Sequence, residues 1–290
     1  MIIQGSETVL VQGITGKQGT FWAERMRAYG TKVIGGVNPK RAGETHLDLP
    51  VWGSARDAAK EQRIDAAVMF IPPMGTKDAA LDLIEAGVKK IVCLTEHVPV
   101  HDTMYFLAAA RERGAQVVGP NTAGLVTTGQ CFVGFMPAFN PRVFKPGDVG
   151  VISRSGSLGT LVCLNLVQAG LGISSFVGIG GDPIIGTTTR DALEALDKDP
   201  RTKAIALVGE IGGAMEEAAA EYARTMTKPI AAFIAGAASP PGKKMGHAGA
   251  IVMGDKGSYA GKKKALEAAG VVVCATPNEV PAALMAKRGR

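Results

Sequence analysis

Short apolar runs recur along this chain, each followed by a stretch in which apolar positions repeat at helical spacing, and the whole alternation runs twice. Parallel strands cannot be joined by tight turns and need a crossover of about a dozen residues or more, which a helix supplies. The pattern therefore predicts doubly wound α/β architecture. In the first half it predicts strands near Thr8–Gln12, Lys32–Gly36, Ala66–Ile71, Lys90–Leu94 and Gln116–Val118. The intervening helices fall near Thr20–Tyr29, Ser54–Gln62, Thr76–Ala86 and His101–Arg113, and Gly30, Gly87 and Gly114 follow three of them where a left-handed cap is wanted. The second half predicts strands near Asp148–Ile152, Ile173–Val177, Ala204–Val208, Ile230–Ala235 and Val271–Cys274. Its helices fall near Ser157–Ala169, Thr188–Asp197, Ala214–Met226, Tyr259–Ala269 and Pro277–Lys287. The last opens with Thr276 as N-cap, Pro277 at N1 and Glu279 at N3.

The rhythm fails over 121–147, where Pro137, Pro141, Pro146 and Gly147 gather. This divides the 290 residues into an expected first domain over 1–122, a linker over 123–146 and a second domain over 147–290. A second interruption, the Gly/Pro/Ser-rich connection over 236–257, is longer than compact domains usually tolerate without a function. Its apolar residues, among them Met245, Ala250, Ile251 and Val252, argue for an ordered functional arm.

Composition narrows the class. Hydrophobic residues make up 46% and charged residues 20% of the chain, enough apolar material for two cores. No apolar run reaches the roughly 18 residues that span a bilayer. The start, Met1-Ile2-Ile3-Gln4-Gly5, has no basic segment before an apolar one, so a cytoplasmic protein is expected. The four cysteines are scattered, without a Cys-x-x-Cys pair, which predicts buried thiols and neither disulfides nor a zinc site. A net charge of +6 would allow nucleic-acid binding, but no basic stripe interleaved with aromatics exists, and a small polyanionic ligand explains the balance equally well. Lys262-Lys263-Lys264 reads as a solvated helix face.

Three motifs carry chemistry. Gly13-Ile14-Thr15-Gly16-Lys17-Gln18-Gly19 follows a strand and opens a helix, where glycines let the backbone approach a diphosphate and the helix N-terminus favours negative charge. An NAD site would want a carboxylate about 20 residues on. Val37-Asn38-Pro39-Lys40-Arg41 offers two cations instead, which suit the ribose phosphate of CoA or NADP. Ser153-Arg154-Ser155-Gly156-Ser157 repeats the strand–turn–helix arrangement with hydroxyls in place of glycines, an anion cradle or a plain helix cap. Gly246-His247-Ala248-Gly249 lies within the long arm, its imidazole flanked by glycines that leave it uncrowded, as a group-transfer nucleophile requires. Glu210, in Gly209-Glu210-Ile211-Gly212-Gly213 at a strand end, can orient the ring through Nδ1 and leave Nε2 to attack, with Asp182 a weaker candidate for the same place. His46, His97 and His101 are expected to be structural or peripheral.

Taken in order, residues 13–21 (Gly-Ile-Thr-Gly-Lys-Gln-Gly-Thr-Phe), Gly119-Pro120-Asn121, Ser153-Arg154-Ser155-Gly156, Val177-Gly178-Ile179-Gly180-Gly181-Asp182-Pro183, Gly209-Glu210-Ile211-Gly212-Gly213 and Gly246-His247-Ala248-Gly249 resemble the α subunits of succinyl-CoA synthetases from end to end. The resemblance implies a Rossmann-like CoA-binding domain and a flavodoxin-like ligase domain. It also implies a β subunit with an ATP-grasp fold, paired as αβ or α2β2, that handles ATP or GTP with magnesium. By position, it implies a CoA site formed by Thr15, Gly16, Lys17, Gln18, Val37, Arg41, Leu94, Thr95 and Glu96. Ser153, Ser155 and Gly156 would hold phosphate, His247 would carry the phosphoryl group, and Glu210 would be its partner. Asn121 and Thr160 stand near where the family places the acid.

Three departures lie near where the family places the acid, the CoA thiol end and the CoA adenosine, and they leave the identity of the acid open. The family commonly continues Ser-Arg-Ser-Gly-Thr-Leu-Thr-Tyr-Glu, whereas Ser157-Leu158-Gly159-Thr160-Leu161 lacks the Tyr-Glu pair. Thr122-Ala123 replaces Cys-Pro after Asn121, and His97 replaces the glycine after Thr95-Glu96. Succinate is the first expectation, with malate, itaconate or another short dicarboxylate as alternatives. Of other classes, an NADP-dependent oxidoreductase accounts for the first motif but leaves the Gly-His-Ala-Gly arm without a role. A non-catalytic CoA-binding regulator accounts for the altered 157–161 segment but not for the retention of both Glu210 and His247.

Overall fold

The computed structural model describes residues 1–239, 246–252 and 257–288. Parts of the arm expected over 236–257, namely 240–245 (with Pro240, Pro241, Gly242 and Met245) and 253–256, lie outside the described residues, as do 289–290. The chain divides into two compact units, one formed by Ile3–Phe139 with Ile184–Gly186, the other by Asn140–Pro183 and the described residues from Thr187 onward.

The N-terminal unit runs β1 (Thr8–Gln12), α1 (Lys17–Tyr29), β2 (Lys32–Val37), β3 (Thr45–His46), β4 (Leu49–Trp52), α2 (Ala55–Glu61), β5 (Ala66–Met69), α3 (Thr76–Glu85), β6 (Lys90–Cys93), α4 (Val100–Glu112) and β7 (Gln116–Val118). Its sheet is ordered β3-β4-β2-β1-β5-β6-β7, parallel except for the short β3–β4 pair. With β3 set aside, the order is that of a Rossmann sheet, reversing beside β1. The strands are apolar on both faces because helices cover both, and Leu10, Met69, Ile91 and Phe106 share one core with Leu83 of α3. Burying a ring such as Phe106 contributes about 1.5–3 kcal/mol.

Residues 123–146, expected to be a linker without regular structure, carry β8 (Gly124–Thr127) and β9 (Cys131–Gly134), an antiparallel hairpin buried at every position. The two units divide at 139/140, inside that stretch. The short strands β3 and β4 were likewise not expected. Neither pair alternates apolar and polar residues, so periodicity does not betray them.

The C-terminal unit runs β10 (Pro146–Ser153), α5 (Gly156–Gln168), β11 (Ile173–Gly178), α6 (Thr189–Lys198), β12 (Ala204–Glu210), α7 (Met215–Ala223), β13 (Ile230–Ala235), α8 (Tyr259–Ala268), β14 (Val272–Cys274) and α9 (Val280–Arg288). Its five parallel strands are ordered β14-β13-β12-β10-β11, the flavodoxin-like winding, which reverses between β10 and β12. The predicted strands and helices of both units appear, their ends moved by no more than one turn. At the last helix, Pro277–Glu279 form a 3-10 turn ahead of α9, and Thr276 does not cap with its side chain. The Glu279 carboxylate instead accepts from the Ala275 N–H at 2.9 Å and the Thr276 hydroxyl at 3.1 Å.

Candidate active site

In doubly wound sheets, ligands bind beyond the carboxyl ends of strands where the order reverses. In the N-terminal unit that place is the turn from β1 to α1. Gly13 has φ +79°, and a Cβ there would lie 2.4 Å from the Phe70 carbonyl oxygen; one on Gly19 would lie 2.1 Å from the Gly13 carbonyl. Only glycine lets strand and helix approach so closely. The N-cap of α1, Gly16, contributes no side-chain cap, and Gly16, Lys17 and Gln18 are exposed. Thr15 accepts a hydrogen bond from Asn38 Nδ2 at 2.6 Å, tying the turn to the end of β2, where Val37 is buried. Arg41 is exposed and paired with Glu44, Nη2 to Oε2 at 2.6 Å.

A cavity of about 660 Å³ opens beside this turn, bounded by Gln18, the Phe70–Pro73 strand end, Leu94, Thr95 and Glu96. Asn121, implied by position to meet the acid, lies on this same cavity with its backbone N–H on the Thr95 carbonyl at 2.8 Å. His97, expected to be peripheral, lines it too, in a left-handed backbone conformation at φ 61°. His46 behaves as expected, its Nε2 2.8 Å from the Thr20 hydroxyl. An uncapped helix N-terminus, exposed cations and a mostly apolar cavity at the switch point fit a ligand with a diphosphate and a flat apolar base.

In the C-terminal unit the reversal brings together the turn after β10 and the end of β12. A cavity of about 320 Å³ lies there, bounded by Ser155, Ser157, Glu210, Ile211, Gly236 and His247. His247 Nδ1 is 2.8 Å from Glu210 Oε2. The ring packs on Gly181, where a Cβ would lie 2.5 Å from His247 Cγ, so the Gly180–Pro183 turn has to be bare of side chain at this point. Chain neighbours brace the arm: Gly249 N–H donates to the Gly181 carbonyl at 3.2 Å and Ala250 N–H to the His247 carbonyl at 3.1 Å.

Hydrogen bonding to Glu210 raises the His247 pKa above its ordinary value against the opposing effect of burial; the Glu210 charge and Asp182 add to the rise and Arg154 subtracts from it. With Nδ1–H donated to the carboxylate, the neutral ring presents Nε2 as its lone-pair nitrogen.

The residues expected to hold phosphate divide. Ser155 caps α5 by accepting from the Leu158 N–H at 3.3 Å, and its hydroxyl lies 3.2 Å from that of Ser157. Ser153 does not reach the cavity: it is fully buried, donates to the Ser155 carbonyl at 2.6 Å and accepts from the Ser155 N–H at 3.1 Å, so its hydroxyl shapes the turn. Ser157 occupies the place that Ser153 was expected to fill. Gly156 begins α5, and the Thr160 hydroxyl donates back to the Gly156 carbonyl at 2.8 Å rather than facing the cavity.

Behind the His247–Glu210 pair lie charges the sequence did not reveal. Arg154 is 2% exposed, with Nε 3.2 Å from Glu210 Oε1 and Nη1 3.8 Å from Glu216 Oε1. Lys262, expected on a solvated face, is fully buried and donates to Glu216 at 2.5 Å, Glu217 at 2.9 Å and the Gly213 carbonyl at 2.9 Å. It stands one turn before Leu266 on the buried stripe of α8, and that spacing was the one signal of its burial.

The fold and these two sites define a two-domain α/β protein with a cavity beside the switch point of each domain, one of them bordered by the His247–Glu210 pair. Residues 5–97 match the family model described as CoA binding domain, and 152–272 the model described as CoA-ligase. Across 97% of this chain and 96% of the other, 48% of residues are identical to a succinate–CoA ligase [ADP-forming] subunit alpha 2 of Archaeoglobus fulgidus. Identity is 43%, over 100% and 99% respectively, to the SauD subunit of an ADP-forming sulfoacetate-CoA ligase of Bilophila wadsworthia. An ATP citrate lyase of Methanothrix soehngenii has the same fold, with a TM-score of 0.91 at 24% identity; all of this chain superposes on half the length of that one. The chain belongs to the succinate–CoA ligase α-subunit family, whose members are acid–thiol ligase subunits that bind CoA.

Proposed function

We propose that His247 is phosphorylated on Nε2 and passes the phosphoryl group to the carboxylate of a short acid, forming an acyl phosphate and freeing the imidazole. The observation that carries this reading is the 2.8 Å contact of His247 Nδ1 with Glu210 at the edge of a cavity faced by two serine hydroxyls and the N-terminus of α5. Glu210 keeps the proton on Nδ1 and so keeps the Nε2 lone pair directed outward. Ser155, Ser157 and the first turn of α5 offer donors to the phosphoryl oxygens, acting by preorganised electrostatics. Thr15–Gln18, Arg41, Leu94, Thr95 and Glu96 are the residues proposed to hold CoA, whose thiol attacks the acyl carbon, losing its proton, and displaces inorganic phosphate to give the thioester. ATP or GTP with magnesium is supplied by an ATP-grasp β subunit.

The relatives named for succinate and for sulfoacetate share one chemical demand, a short acid with a second anionic group. We therefore assign the substrate to that class, with succinate first and malate, itaconate and sulfoacetate as competitors. The test is to combine the chain with its β subunit and γ-labelled ATP and look for acid-labile, alkali-stable phosphate on protein. Label is expected on the wild type and lost in His247→Ala; equal labelling of the variant refutes the reading. Coupled turnover with each acid then ranks the substrates.

A further inference from the structure

Lys262 and its neighbours are not needed to explain the contact between His247 and Glu210, yet four charged side chains, Arg154, Glu216, Glu217 and Lys262, are folded in behind it. A buried ion is stable only when its charge and hydrogen-bonding capacity are matched. All three protons of the Lys262 ammonium are used, on Glu216, Glu217 and the Gly213 carbonyl. Glu216 is fully buried and lies between two cations, with Oε2 on Lys262 and Oε1 3.8 Å from Arg154; Oε1 also accepts from the backbone N–H of Glu210 at 3.3 Å. Arg154 in turn has two carboxylates to choose from, Glu210 at 3.2 Å and Glu216 at 3.8 Å.

We propose that Lys262 is a positioning residue for the His247–Glu210 pair: by neutralising Glu216 it leaves Arg154 on Glu210, which sets the strength with which Glu210 holds the imidazole. Without the ammonium, Glu216 is a buried anion whose remaining cation among the described residues is Arg154. The guanidinium then turns to it, and Glu210 is left to bind His247 alone. Among the described residues, the charged groups facing the ring are Glu210 from the end of β12, Arg154 from the turn after β10 and Asp182 from the turn after β11. Glu216 and Glu217 reach the network from α7, and Lys262 from α8. Because α8 follows the His247 arm in sequence, the same ammonium also ties the end of that arm to the Gly212-Gly213 turn, where Gly257 exchanges backbone contact with Gly212 at 2.8 Å. The role presupposes that His247 is the phosphoryl carrier proposed above.

The experiment follows the titration of the His247 ring by NMR in the full chain, assigned by its disappearance in His247→Ala, and needs no nucleotide. In Lys262→Met the midpoint is expected to move to higher pH. In Glu216→Gln it is expected to move to lower pH, because Arg154 then has Glu210 alone. The double variant is expected to return toward the wild type. With the β subunit and labelled ATP, Lys262→Met should label His247 about tenfold more slowly near neutral pH and recover as pH is raised. Midpoints that stay put in both single variants, or move in the same direction, overturn the proposal, as does a loss of thermal stability with the titration unmoved. If Lys262→Met does not fold, the sign of the Glu216→Gln shift decides, an upward or null shift overturning it. Absence of label on wild-type His247 would defeat the phosphohistidine reading instead, and leaves the titration result to stand by itself.

Discussion

The two strand–turn–helix sites of this chain use one backbone plan with opposite electrostatics. At the β1–α1 turn the helix start is uncapped by any side chain, the charged residues Lys17 and Arg41 are exposed, and the cavity is wide. At the β10–α5 turn a serine caps the helix, the cavity has about half that volume, and Arg154, Glu210, Glu216 and Lys262 are buried behind it. A surface that only has to hold a ligand can leave its cations in water, where each contributes little and the site adapts. A site that has to control one proton and one lone pair needs charges held at fixed distances in a dry setting, where their interactions are strong. The difference supports the proposed division between a region that binds and a region that reacts.

That contrast can be broken at its reactive end first. Glu210→Gln keeps the shape but lets the side chain no longer fix the Nδ1 proton by charge. We expect labelling of His247 and overall turnover to fall on the order of 10²–10⁴-fold, with CoA affinity unchanged. Rapid-quench phosphorylation and CoA titration measure the two separately; an equal loss in both would erase the division between the sites. Gly181→Ala places a methyl group 2.5 Å from the His247 ring and should displace it from Glu210. A fall in phosphorylation of about 10–100-fold is expected, since small misplacements of a reacting group are costly.

The binding end should respond more mildly. Arg41→Ala removes an exposed cation already shared with Glu44, so the KM for CoA should rise by about three- to tenfold while His247 phosphorylation stays at the wild-type rate. A large fall in kcat would place Arg41 in the chemistry and contradict the contrast. The smallest effect is on stability. Because Glu210 raises the His247 pKa, the folded state holds that proton more tightly than the unfolded chain. The resulting stabilisation is full below the unfolded value near 6.5 and fades as pH rises through the raised folded value. The melting-temperature gap between wild type and His247→Ala should thus be wider at about pH 5.5 than at about pH 8.5. A gap that widens with pH would show that the pairing does not raise the pKa.

Much of the molecule could be read before folding. The parallel strands predicted for both units, both strand–turn–helix motifs and the His247–Glu210 pair follow from apolar runs, glycine spacing and motif order. What escaped reading shares a cause. The β8–β9 hairpin is buried on both faces and short, so it carries neither the alternation of a surface strand nor the length of a helix. Ser153 and Ser157 are the same residue type four positions apart, and only the turn's geometry sends one hydroxyl inward and leaves the other on the cavity. Lys262 sits in a run of three lysines, of which the structure buries one.

Sequence alone determined the winding of the two domains and the identity of the paired imidazole and carboxylate, because periodicity and turn chemistry are local properties of a chain. Which charges are buried was decided only by tertiary structure. The cost of removing an ion from water is met by partners drawn from distant segments, and Lys262, Glu216, Arg154 and Glu210 become neighbours only when β10, β12, α7 and α8 pack together.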